Sequence, residues 1–287
     1  VVVLITSTDG ADTHVSEQVG NRLGVPILTL SSEATTTEID IPWIFRIGPS
    51  DAVQAQTIAA NIYGERGLKK VLVISDGNHD GRGDAAAMRR EAISIGAAVP
   101  EELVLDPQKP DFSSVMTRVR ADSPQGIVLW TSAETAQTLL TMLRAAEVSA
   151  EVYLPQQATK AESGLTLTSS NVKGERAASS LFAWTIGGLG EDSAGRKSFA
   201  MRYIQQTGKP PSAAAAEAYD AICLTVRALR EAGPNRARVR DRLAKTSDYS
   251  GASGTISFDH EGNNTTQVHL IALRPEKAFT AAGGSAE

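Results

Sequence analysis

The sequence predicts an α/β protein folded as two doubly wound parallel-sheet lobes. Three observations carry the prediction. Short apolar runs alternate with helical stretches along most of the chain, the rhythm of βαβ units. Within each run consecutive residues are apolar, as in strands covered by helices on both faces. The chain has 287 residues, and at about 150 residues per domain that suggests two cores rather than one.

The elements follow in order. Val1–Thr6 is a continuous apolar run and the first strand. Asp12–Leu23 is a helix that stops at Gly24, a natural C-terminal cap. Pro26–Leu30 and Trp43–Ile47 are short strands separated by the polar loop Ser31–Pro42. Ser50 or Asp51 caps a helix over Asp51–Tyr63. Val71–Ser75 is a buried strand, followed by a glycine-rich turn and a helix over Asp84–Ile95. Strand Leu103–Leu105, helix Phe112–Arg120, strand Gly126–Trp130, helix Glu134–Ala146 and strand Glu151–Leu154 continue the alternation.

After about residue 185 the rhythm changes. Helices Ser198–Gln206, Ala213–Ala232 and Arg236–Lys245 come almost in succession. Strands Gly254–Phe258 and Gln267–Leu273 close the fold around the turn Asp259–Asn264, and Thr280–Glu287 is a small, polar tail of the kind that frays. No repeat or low-complexity linker separates the lobes, so the chain is expected to cross between them more than once.

Composition excludes several classes. Lys and Arg number 28 against 33 Asp and Glu, for a formal charge of −5 without a basic cluster, which argues against a nucleic-acid binder. Apolar runs such as Val1–Ile5 are far shorter than the ~20 residues of a membrane span. The single cysteine, Cys223, excludes an intramolecular disulfide and a zinc site built on several cysteines; mid-helix in an apolar run, it reads as a buried thiol. No signal segment precedes the first strand, and the numbering is expected to begin inside a longer precursor.

Few motifs carry chemistry. Asp12-Thr13-His14 and Gly77-Asn78-His79-Asp80 resemble fragments of the metallophosphoesterase pattern. The bridging Gly-Asp-x-x-Asp and the later Gly-His-x-His are missing, and Asp12 and His14 fall inside a helix, so no metal site is expected. Gly187-Gly188-Leu189-Gly190 lies in a lobe-to-lobe transition rather than between a first strand and its helix, and reads as a hinge. What remains is polar residues just past strand ends: Ser7–Gly10, Ser31–Glu33, Thr131–Ser132 and Gln156–Gln157. Each reads singly as a helix cap. Together they mark the carboxyl ends of strands, where open α/β sheets hold ligands and helix N-termini offer N–H groups to a carboxylate.

The segment Gly24-Val25-Pro26 … Trp43-Ile44-Phe45-Arg46-Ile47-Gly48-Pro49-Ser50-Asp51 resembles the signature of type I periplasmic solute-binding proteins of the leucine/isoleucine/valine-binding kind. Collinear matches follow at Val71–Ser75 with Gly81-Arg82-Gly83, at Asp111-Phe112-Ser113, at Ala218-Tyr219-Asp220-Ala221, and at Gly254–Asp259 with Gly262-Asn263. The resemblance covers nearly the whole chain. It implies two lobes joined by a three-crossover hinge, with crossovers near Gly48–Ser50, Ile186–Gly190 and Ser253–Thr255. Residues 1–49 and 188–254 would then form lobe 1, and 50–187 with 255–287 lobe 2. It further implies that about two βα units precede Val1 in the family. The implied protein is periplasmic or extracellular, often lipid-anchored, works without a cofactor or catalysis, and hands a small solute to an ABC permease.

The family's binding positions map onto Asp9, Gly10, Ser31, Ser32, Glu33, Asp80, Ser132 and Gln156, and several depart from its pattern. The carboxylate-binding serine aligns near Asp9–Gly10. Glu33 stands where the Ser-Pro-Ser-Ala-Thr loop has a hydroxyl. Asp80 and Ser132 replace aromatics, and Gln156 replaces the acid that pairs with a ligand ammonium. A neutral amide lacks that charge-assisted bond, so the expected ligand is a polyol, an amide or a polar solute carrying a cation, rather than an aliphatic amino acid in the usual pose. With 6 Phe, 5 Tyr and 3 Trp, the chain is poor in groups to stack an aromatic ligand. Two other readings stand beside transport: a ligand-sensing domain of the same fold, and a metal-dependent hydrolase using His79 and Asp80.

Overall fold

Val71, Leu72, Val73 and Ile74 are all buried, so this strand has a helix layer on each face. The computed structural model describes residues 1–38, 41–158, 165–167, 182–188 and 194–275. The tail Thr280–Glu287 and the pair Leu189–Gly190 lie outside them. Among the described residues the strands form two main sheets, each the middle of one lobe.

Lobe 1 holds the parallel sheet β1 (Leu4–Ile5), β2 (Ile27–Thr29) and β3 (Ile44–Arg46), in that order. Lobe 2 holds β4 (Val71–Asp76), β5 (Glu101–Leu105), β6 (Gly126–Trp130), β7 (Glu151–Leu154), β8 (Leu165–Leu167), β9 (Phe182–Gly188) and a final strand, β12 (Val268–Pro275), in the order β5-β4-β6-β7-β9-β12-β8. From β5 to β9 the neighbours are parallel; β12 runs antiparallel to both β9 and β8. The sheet is thus parallel except at the edge where β12 pairs.

Helices α1 (Gly10–Leu23), α2 (Thr35–Glu38), α3 (Asp51–Ala59), α4 (His79–Ser94), α5 (Phe112–Asp122), α6 (Ala133–Ala145), α7 (Ala194–Thr207), α8 (Ala213–Ala232) and α9 (Arg236–Leu243) fill the outer layers. Most begin at a short polar side chain that accepts a backbone N–H of the first turn: Asp9, Ser50, Asn78, Asp111, Ser132, Ser212 and Asn235. Gly24 closes α1 at φ +59°, the left-handed conformation that glycine enters without strain. Helix α4 starts five residues earlier than the expected Asp84, because Asn78 Oδ1 accepts the Gly81 N–H at 2.8 Å. The turn then passes so close to β4 that a Cβ on Gly81 would lie 2.0 Å from the Asp76 carbonyl oxygen.

The strand period of two sorts the lobe-2 core. Leu72, Ile74, Ile127, Leu129, Val152 and Leu154 meet Val115 and Val119 of α5 and Leu139, Leu140 and Leu143 of α6. Val71, Val73, Val128, Trp130 and Tyr153 face Ile58 of α3 and Ala85 and Met88 of α4. In lobe 1, Leu28, Phe45 and Ile47 pack against Ala221, Leu224 and Ala228 of α8 and Val239 and Leu243 of α9.

Crossings between lobes follow from these cores. The first lies between β3 and α3, at 47–50. The second lies between β9 and α7, whose Phe199 packs with Ala216 of α8 and with Ala252. The third is later than the expected Ser253–Thr255. The two-residue strands β10 (Tyr249–Ser250) and β11 (Thr255–Ile256) pair with each other, Ile256 joins the lobe-1 core, and Phe258 stacks on Phe45 with centroids 5.2 Å apart. The Gly262 carbonyl accepts the Arg46 N–H at 2.8 Å. The chain leaves lobe 1 only between Asn264 and Val268.

Candidate functional site

Arg46 shapes the lobe-1 wall of the cleft. Its guanidinium is fully buried and donates to the carbonyls of Ser31 (2.7 Å) and Ala34 (3.0 Å), to Thr36 and Thr37 Oγ1 (both 2.8 Å), and to Asn263 Oδ1 (3.3 Å). One planar fork thus holds the loop after β2 in a single shape. Burial lowers the guanidinium pKa, and the carboxylates of Asp51, Glu33, Glu38 and Glu17 oppose that shift.

Between the lobes, at the first crossing, lies a cavity of about 210 Å³. Thr8, Leu30 and Ser32 line it from lobe-1 strand ends, Gly48 and Pro49 from the crossing, and Gln54, Gln156 and Gln157 from lobe 2. Ser212, Ala213, Ala214 and Glu217 of the α8 N-terminus complete it. The wall is polar at a few convergent points, and no aromatic side chain is among its described lining residues.

The central contact is between Gln156 and Glu217. Gln156 Nε2 donates to Glu217 Oε1 at 2.7 Å, across the two lobes, while the Gln156 N–H donates to Gln54 Oε1 at 2.9 Å. Burial pushes the Glu217 carboxyl up to about 8; the Gln156 amide pulls the other way and neighbouring Asp220 adds to the rise. Glu217 is therefore mostly protonated at neutral pH. Room for it exists because residue 48 is glycine: a Cβ there would lie 2.4 Å from Glu217 Oε1. Behind this wall, Gln157 Nε2 donates to Asp84 Oδ2 at 3.2 Å. Asp84 is buried beside Asp51, and desolvation, then the neighbouring Asp51 charge, raises its pKa.

Of the positions expected from the sequence, Ser32 and Gln156 line this cavity. The others are engaged elsewhere. Asp9 caps α1 through the Asp12 N–H, and the Gly10 N–H donates to Asp80 Oδ2 at 3.0 Å, a contact between lobes. Buried Ser31 accepts the Glu33 N–H. Glu33 turns away toward His14 and Thr35. Ser132 caps α6, and its N–H donates to Asp76 Oδ2 at 2.8 Å.

Sequence reasoning missed Gln54, Ser212 and Glu217. Glu217 had one signal: it is the sole charge in the run Ala213–Tyr219, on the helix face that also carries buried Ala216, Asp220 and Ala221. The carboxyl that faces Gln156 thus comes from the opposite lobe.

A model of the periplasmic binding proteins matches residues 1–274. The chain belongs to that family. Its fold is the type I form, shown by solved structures that superpose over almost all of this periplasmic binding protein. The leucine-binding protein of Thermotoga maritima has a TM-score of 0.79 at 18% identity, covering 96% of this chain and 79% of that one. The branched-chain amino acid binding protein of Streptococcus pneumoniae, solved with isoleucine, has a TM-score of 0.75 at 23% identity, covering 94% and 75%. A solute-binding protein of Rhodopseudomonas palustris, solved with benzoate, has a TM-score of 0.77 at 16% identity, covering 94% and 73%. No curated protein matches the chain. These relatives are substrate-binding proteins of ABC transporters that take small molecules, and the family is extracytoplasmic. No helix among the described residues of this binding protein is long and apolar enough to cross a membrane.

Proposed function

We propose that this periplasmic binding protein captures a small polar solute in the Glu217 cavity and delivers it to an ABC permease. The solute presents a cationic or N–H donor group to Glu217, and a carboxylate or carbonyl to the N-terminal turn of α8. The observation that carries the reading is the Gln156–Glu217 contact across the lobes, at the wall of a cavity of about 210 Å³. That volume lies below the about 300–1,000 Å³ of drug-sized sites. The 20-residue helix α8 lines the cavity with both its N-terminal turn, the positive end of its dipole, and the Glu217 carboxyl. A zwitterionic or amide solute complements both. A solute touching both lobes stabilises the closed form by its differential affinity, and no chemical step is required.

A thermal-shift and calorimetric screen of amino acids, amides, polyols and small carboxylates tests the reading. Solute at about 100 times its Kd adds roughly 2.7 kcal/mol of stability. A shift from solutes that carry a donor group, lost in Glu217→Gln for the cationic ones, supports it. Binding confined to simple carboxylates or apolar solutes, and indifferent to Glu217, overturns it.

A further inference from the structure

A second cluster between the lobes takes no part in the cavity. His14 lies on α1, Glu33 follows β2, and His79 opens α4, so two residues come from lobe 1 and one from lobe 2. One ligand atom of each lies within 4.8 Å of the other two. His14 Nε2 is 2.8 Å from Glu33 Oε2, and the two imidazoles meet edge to face with centroids 5.7 Å apart.

The surroundings of His14 are those of a metal-ligating imidazole. Its Nδ1 lies 2.9 Å from Oε2 of Glu17, a residue 1% exposed. A carboxylate behind one ring nitrogen fixes the tautomer and turns the other nitrogen's lone pair outward. The other nitrogen, Nε2, faces Glu33 Oε2 at 2.8 Å and Thr35 Oγ1 at 3.1 Å. Two more oxygens are short of positive charge: Glu17 Oε1 and Asp80 Oδ1 are buried and have no hydrogen-bond partner among the described residues. Asp80 Oδ1 sits beside Glu33, since a Cβ built on Gly10 would touch both, at 2.5 Å and 2.9 Å. Arg46 reaches Glu17 and Glu33 only through space, its donors being committed to the loop behind them.

We propose that His14, Glu33 and His79 form a site for a borderline divalent cation of the Zn²⁺ type, and that this ion fastens the two lobes in the closed arrangement. Two imidazoles and one carboxylate suit such ions, and a hard ion such as Mg²⁺ prefers oxygen alone. Metal–ligand bonds of about 2.0–2.2 Å in tetrahedral geometry place ligand atoms about 3.3–3.6 Å apart. The present separations, 2.8 Å for one pair and at most 4.8 Å for the others, bracket that value. His79 is exposed, which leaves a fourth position to water or another donor. Because the ligands come from both lobes, the ion binds the closed form better and shifts the population toward it. The site is independent of which solute occupies the Glu217 cavity.

Calorimetric titration with ZnCl₂ and with MgCl₂, in buffer free of chelators, tests the proposal. The chain is expected to take one Zn²⁺ and to show no comparable Mg²⁺ binding. His79→Ala removes an exposed ring and leaves the fold intact; it and His14→Ala are each expected to weaken Zn²⁺ about tenfold or more. Glu217→Gln keeps full Zn²⁺ affinity, which separates this site from the solute cavity. X-ray scattering is expected to show a smaller radius of gyration with Zn²⁺, and no change in His79→Ala. Absence of Zn²⁺ binding, undiminished affinity in His79→Ala, equal affinity for Mg²⁺, or binding without compaction would each overturn the proposal.

Discussion

Replacing Glu217 by Gln tests whether the cavity holds a buried acid kept for a ligand at a cost in stability. The substitution keeps the shape and the acceptor for Gln156 Nε2, and removes only the titration. In the folded chain burial raises this carboxyl to about 8, whereas an unfolded glutamate titrates near about 4.3. The folded state therefore holds a proton that the unfolded state releases. The favourable contribution is complete below about pH 4.3 and is lost as pH rises to about 8. At pH 7 the loss is about 3–4 kcal/mol, and at pH 5 about 1 kcal/mol. Glu217→Gln escapes it. The variant without ligand should exceed the parent in stability by about 3–4 kcal/mol at pH 7, a rise in Tm of order 10 °C, and by about 1 kcal/mol at pH 5. Urea denaturation from pH 5 to pH 8, followed by circular dichroism, reads the gap directly. A gap that does not widen with pH, or a variant less stable than the parent, refutes the reasoning.

Binding of a cationic solute should carry the same linkage in reverse. Affinity rises with pH up to about 8 and a proton is released on binding, seen as a buffer-dependent calorimetric enthalpy, while a neutral amide shows neither effect. Gly48→Ala places a methyl group 2.4 Å from Glu217 Oε1. It should cost about 1–3 kcal/mol in denaturant midpoint and weaken solute binding with it; unchanged affinity would mean that Glu217 does not shape the pocket. Arg46→Lys keeps the charge and loses the fork that reaches Ser31, Ala34, Thr36 and Thr37. A loss of about 3–5 kcal/mol is expected, with faster hydrogen exchange at residues 31–37; protection equal to the parent's would refute the role given to Arg46.

The fold was legible wherever the signal is local. Val71–Ser75 shows an unbroken apolar run because both faces of β4 are covered, and Ser50 and Gly24 announce helix ends through side-chain size and backbone freedom alone. Strand direction was not legible. The alternation that marks Val268–Pro275 as a strand is the same for either direction, and only its pairing with β9 and β8 shows that β12 runs antiparallel. The third crossing was misplaced for a related reason. Ile256 and Phe258 are apolar in either lobe, and only their contacts with Leu28 and Phe45 decide which.

The sequence by itself determined the class of fold, the order of its elements and the strand ends around which a cleft forms. Each of these depends on neighbours within a few positions, where periodicity and capping act. Only the tertiary structure decided which polar groups face one another. Gln156 meets Glu217 from 61 residues away, and His79 reaches His14 and Glu33 from the other lobe. Such pairings are set by how two rigid cores close on each other, and they leave no period in the chain: a carboxyl that caps a helix and one that waits for a cation are spelled by the same residue. Burial separates them, and burial is a property of the assembled lobes.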